Sequence, residues 1–225
     1  PPTTDASKFP INLGYHNALM VEEGGEQSQI ISAATTPAEG DWQGIKVTGN
    51  SAVLRNLRIA HTNQSILSGS NIQLHDVTLE QSATGIEASN TGNVYLYNTI
   101  IRDLSGTAVS QPVNLIMHGS RLVNAANGVV NGNANRNYSI ATSEISDMSG
   151  IGVNVVQASY LWVSNTLIRN TDVALSISRD RFNTAVAEYV TLDGNRIGVQ
   201  GNVSSVDYSL TLRNSLLTNN GVAVG

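Results

Sequence analysis

The chain has 225 residues, 40% of them hydrophobic and 13% charged, with a net charge of −5 and no cysteine. That apolar content excludes the signature of intrinsic disorder, and the lack of cysteine excludes disulfides and thiolate metal sites. No Lys/Arg run of the nucleic-acid-binding kind occurs, so no nucleic-acid partner is expected, and no apolar stretch reaches the length of a membrane span.

Pro1-Pro2-Thr3-Thr4 has the character of a processed start, and residues 1–10 read as an extended arm. Two apolar runs follow, residues 18–21 and 30–34, separated by the acidic turn Glu22-Glu23-Gly24-Gly25-Glu26. Residues 1–43 are therefore expected to be an arm with a degenerate first coil or cap, because the terminal repeat of a stack meets water on one side. From residue 44 to 225 a unit of roughly 20–25 residues recurs, the range of repeat architectures. Each unit has three short runs that alternate apolar and polar residues.

The first run opens on a small residue, as in Gly44-Ile45-Lys46-Val47, Gly85-Ile86-Glu87-Ala88, Gly128-Val129-Val130 and Gly152-Val153-Asn154-Val155, with a last start read at Gly221-Val222-Ala223-Val224. The second runs carry an apolar column, Leu54, Leu74, Leu96, Met117, Ile140, Val163 and Leu212. The third runs centre on Ile59, Leu79, Ile101, Leu122, Ile145, Ile168, Leu192 and Leu217. Runs this short with period two are strands, not amphipathic helices, and three unequal segments per unit are not hairpins. The expected fold is all-β, a parallel β-helix solenoid of about eight to nine coils, each coil rising about 4.8 Å. It forms a single domain.

Behind each second run stands a column of Asn56, Asp76, Asn98, Gly119, Thr142, Asn165, Tyr189 and Asn214. Asn tolerates left-handed backbone angles at a tight turn, and stacked amides can bond one another along a ladder. The three-strand coil, this Asn column and the Gly-Ile and Gly-Val starts resemble the right-handed parallel β-helix superfamily, the pectin-lyase-like fold, over residues 44–225. In character the chain is similar to autotransporter adhesin passengers. The resemblance implies a fold, and that superfamily hosts polysaccharide lyases, hydrolases, epimerases, tailspikes and adhesins alike.

The residues offer little for catalysis. Asp103 and Asp147 share a column two coils apart, about 10 Å by the coil spacing, with Asn124 between them, which suits a polar turn ladder better than a calcium site. His75 and His118 are likewise two coils apart with Tyr97 between, so no zinc site is expected, and no cofactor. The paired acids, Gly-His-Gly and Arg-Ile-Lys motifs of polygalacturonases are absent. The densest charged neighbourhood holds Arg169, Asp172, Asp180 and Asp193, with Arg179 and Arg181. There an acid paired with a uronate-binding arginine is the candidate for chemistry, against plain salt bridges.

One surface feature remains. Tyr95, Ile116 and Trp162 fall in one column of the second strands, and His75, Tyr97 and His118 in the next, with Arg55 and Arg213 at its ends. If they face outward they make an aromatic strip suited to sugar faces or a protein partner. The leading expectation is thus a secreted or cell-surface β-helix, extracellular or on a bacterial surface, that binds a glycan or cell surface without catalysis through His75, Tyr95, Tyr97, His118 and Trp162. The alternatives are a polysaccharide lyase or glycoside hydrolase, and a structural spacer from a longer surface protein. End-to-end or homo-oligomeric stacking is a further expectation, because open solenoid ends expose unpaired strand groups.

Overall fold

The computed structural model describes residues 10–14, 17–20, 26–88, 92–131, 136–156, 160–179, 183–203 and 208–225. Its regular structure is entirely β, and the strands enter three parallel sheets in strict rotation. The first sheet has ten strands, the second nine and the third nine. About seven turns, each stacked on both sides, lie between two end levels, so the expectation of eight to nine coils differs only slightly. The strands before residue 44 supply the first level. Ile11–Leu13 lies on Ile45–Val47, Asn17–Met20 on Ser51–Arg55, and Ser28–Ile30 on Leu57–Ala60.

Period-two alternation decides what enters the core. In the second sheet, Leu54, Leu74, Leu96, Met117, Ile140 and Val163 are stacked in register and fully buried. The column points inward throughout its described length, and Ala187 fills the next level. Ile59, Leu79, Ile101, Leu122, Ile145, Ile168 and Leu192 do the same in the third sheet. Among the described residues Tyr138 is the one large aromatic with a fully buried side chain, and its hydroxyl donates to the Pro112 carbonyl at 3.0 Å. Burial pushes its phenol far above the ordinary range, so it stays a neutral donor.

Two corners of each coil are built the same way. All eight residues of the column from Asn56 to Asn214 have positive φ, between 46° and 61°. A second such column follows the third strands and includes Asp103, Asn124, Asp147, Asn170 and Asn219. Among the described residues, ten of the fifteen non-glycine residues with positive φ are Asn or Asp, the types that reach this region at least cost. Their amides bond along the stack: Asn124 Nδ2 donates to Asp103 Oδ1 at 2.8 Å and Asn170 Nδ2 to Asp147 Oδ1 at 3.0 Å. The Asp103–Asp147 column is thus a turn ladder.

Immediately after the first corner runs a set of buried hydroxyls. The Thr99 amide donates to Ser120 Oγ at 3.0 Å and the Ser120 amide to Ser143 Oγ at 3.2 Å. Ser120 and Ser143 in turn donate to the carbonyls two residues back, His118 and Ala141. These contacts satisfy backbone amides that the bend would otherwise leave unpaired away from water.

Close stacking also fixes the small residues that open the first strands. A Cβ on Gly128 would lie 2.3 Å from the Gly152 carbonyl oxygen, and one on Gly44, at φ +94°, would overlap the Gln64 carbonyl. The final start departs from the sequence reading. Val222 pairs with Ile197 and Val224 with Val199, so Ala223, not Gly221, continues the Gly198 column. The cause is local: Gly221 belongs to the corner, where its amide and that of Val222 bond back to Asn195 and Arg196.

Candidate functional site

The outer face of the second sheet carries the expected strip. Register places Val53, Gln73, Tyr95, Ile116, Ser139, Trp162 and Val186 in one outward column. Arg55, His75, Tyr97, His118, Ala141, Ser164, Glu188 and Arg213 form the next. Both columns are part-exposed or exposed over nearly their whole length, and Ile116 reaches 39% exposure.

The rings of His75 and Tyr97 stack, with centroids 4.8 Å apart and planes inclined by 20°. That distance is the coil rise itself, so parallel strands bring equivalent side chains into face contact without further design. His75 Nε2 has no hydrogen-bond partner among the described residues. Partial burial lowers the His75 pKa, the Arg55 charge lowers it further, and Asp76 offsets part of this. Burial and the Arg55 charge both favour the neutral imidazole, part-buried with one face against the Tyr97 ring. Trp162 lies three levels beyond Tyr95 in the same column, and its indole N–H donates to Glu188 Oε1 at 3.3 Å.

Of the candidates weighed for chemistry, Arg169, Asp172 and Asp193 lie on the third sheet and its corner, and there each is bound by a side chain outside the candidate set. Glu144 sits between two arginines, taking Arg121 Nε at 2.9 Å and Arg169 Nη2 at 3.0 Å. Glu80 repeats the arrangement between Arg58 and Arg102, and is only 2% exposed. Burial alone would raise both carboxyls, yet the hydrogen bonds and charges of the flanking arginines outweigh it and hold them below the ordinary range. Asp172 is held bidentately by Arg196 and is lowered by that contact. Asp193 accepts from Thr218 Oγ1 at 2.7 Å and Asn219 Nδ2 at 2.8 Å, which lower it likewise. Arg169 and Asp193 are register neighbours, but the arginine turns to Glu144. Asp180, with Arg181 and His16, lies outside the described residues.

A general acid needs a raised pKa and a nucleophile needs free lone pairs. These described carboxylates have lowered pKa values and bonded oxygens, an arrangement that serves to tie coils together. Among the described residues no group of three or more His, Asp or Glu is placed to hold a metal ion, and no helix is long and apolar enough to cross a membrane.

The sequence points to the outward columns and puts Tyr189 in the corner column, but it does not single out Glu188 or the central place of Glu80 and Glu144. Arg196, the partner of Asp172, was missed as well. The signal was present only as charge complementarity between residues about 22–25 positions apart, which becomes visible once the coil register is known. Set against protein-family models, curated proteins and solved structures, the chain matches none of them.

Proposed function

We propose that this protein is a secreted or surface-displayed β-helix that binds a glycan, or a cell surface bearing one, along the outer face of its second sheet, and that it catalyses no reaction. The observation that carries this reading is the cluster of Tyr95 and Ile116 beside His75, Tyr97 and His118 on one regular outward face, with Trp162 in the same column beyond the small level of Ser139 and Ala141. Flat rings with polar edges match the alternating apolar faces and hydroxyl rims of sugars. A sheet face also presents them at a fixed repeat, which favours an extended, repeating ligand. The engaged state of Arg169, Asp172 and Asp193 supports a binding role over a lyase or hydrolase.

The finer family assignment, to right-handed pectin-lyase-like β-helices and in character to autotransporter adhesin passengers, belongs to the same proposal. It rests on the coil pattern and the Asn corners. An extracellular or bacterial-surface location is part of the same proposal and rests on the same resemblance, with which the lack of cysteine is compatible.

A glycan array probed with the full chain, run beside an assay for unsaturated uronide release, tests the reading. Binding that disappears in Tyr97→Ala and Trp162→Ala, with no product released, is the expected result. Product release would replace it with the enzyme reading, and silence on every glycan and cell surface would leave a structural spacer.

A further inference from the structure

Where the second sheet turns its corner above Trp162, Glu188 and Tyr189 stand out from the ladders they belong to. Glu188 is half-buried and receives the Trp162 indole N–H on Oε1, while Oε2 has no partner among the described residues. Its register neighbours are Ser164 and Arg213, and it forms no ion pair among the described residues. This contrasts with Glu80 and Glu144, whose oxygens are all taken by arginines.

Tyr189 occupies the corner column at φ 54°, a region that a bulky residue rarely adopts. The levels on either side use Asn165 and Asn214 there. Its hydroxyl has no hydrogen-bond partner among the described residues, and Tyr189 is 57% exposed. An unfavourable backbone angle that is not repaid by packing is the pattern expected of a residue kept for contact with something else. Tyr160, 41% exposed, flanks Trp162 on the side away from that corner, in the adjoining outward column.

We propose that Trp162, Glu188 and Tyr189 form a subsite for an uncharged sugar unit, with the indole as platform, Glu188 Oε2 accepting hydrogen bonds from ring hydroxyls, and the Tyr189 ring bordering the unit. This rests on the glycan-binding reading above and narrows it. A carboxylate accepts only, so it rewards hydroxyl donors and repels uronate or sulfate groups. Its part-burial beside an indole strengthens both effects, because the local dielectric is lower than in water.

Calorimetric titration of the full chain with uncharged hexose oligomers and with the matching uronate oligomers tests the proposal. The variants are Glu188→Gln, Tyr189→Asn and, lower on the strip, Tyr97→Ala. Uncharged oligomers are expected to bind best, and Glu188→Gln and Tyr189→Asn are each expected to weaken that binding about tenfold. Tyr189→Asn restores the residue that the ladder uses on either side, so its melting temperature should equal or exceed that of the parent. A merely structural tyrosine would instead lower it. Preference for uronates, or full binding by both variants while Tyr97→Ala fails, overturns this subsite and leaves the broader reading standing. Absence of binding to every oligomer overturns both.

Discussion

The second and third sheets share one coil, one rise and one register, yet their outer faces follow opposite rules. On the third sheet, long charged side chains reach to the next coil and neutralise each other, Arg58 to Glu80 to Arg102 and Arg121 to Glu144 to Arg169. On the second, rings and imidazoles stand side by side, with stacking between His75 and Tyr97 and an open oxygen on Glu188. The difference teaches that the solenoid does not need its outer side chains to be inert. It needs them to be satisfied, and a face that satisfies itself holds the coils, while one left open is available to a partner.

The contrast can be broken by stability measurements. Glu80→Ala strands Arg58 and Arg102 beside a buried site and is expected to cost about 2–4 kcal/mol in urea unfolding, below the full cost of breaking a wholly buried pair because both arginines reach solvent. His118→Ala, at an exposed position of the open face, should cost less than about 1 kcal/mol, the usual range for surface positions carrying little packing. Equal losses would erase the distinction between the faces.

A smaller effect is expected at the corners. Replacing Asn165, at φ 46°, by Ala should lose about 1–2 kcal/mol, the cost of a left-handed angle without the Asn compensation. Thr142→Gly, at φ 52°, should change stability by less than about 1 kcal/mol, because relief of strain opposes a more flexible unfolded chain.

Acid titration sharpens the comparison further. Glu80 and Glu144 have folded pKa values below their ordinary 4.5, so the unfolded chain binds protons first as pH falls. Their stabilisation is complete above about pH 4.5 and is lost as pH drops through the folded values. Melting curves between neutral pH and pH 3 should show that loss, and Glu80→Gln should flatten part of it.

The smallest expected effect is at His75. Its folded pKa lies below 6.5, so its contribution is present above that pH and fades as pH falls through the folded value. NMR of the imidazole protons should report that midpoint below 6.5 in the parent, and Arg55→Gln should raise it. An unmoved midpoint would remove Arg55 as a cause.

The parts of this molecule that repeat were legible in its residues. Asn at the corner is chosen by backbone geometry, so the eight-residue column from Asn56 to Asn214 could be read directly and each member has positive φ. Outward Tyr95, Tyr97 and Trp162 followed from period two alone. The ion pairs were not legible, because Arg169 reaches diagonally to Glu144 and not to Ser146, which the register sets opposite it. Long side chains choose partners by charge and reach, which a column of letters does not contain. Gly221 misled for a related reason: a glycine looks alike at a coil start and in a corner, and only its backbone bonds to the preceding level separate the two.

Parallel stacking at a constant rise also makes the molecule a measuring rule. Tyr97 and Glu188 occupy the same column four levels apart, through His118, Ala141 and Ser164, a separation of about 19 Å at the usual strand spacing. Excising one whole coil would shorten that span by one graduation of about 4.8 Å and leave the chemistry at both marks unaltered. Insertion or loss of coils is therefore a way for such a chain to change the length of what it grips without changing the residues that do the gripping.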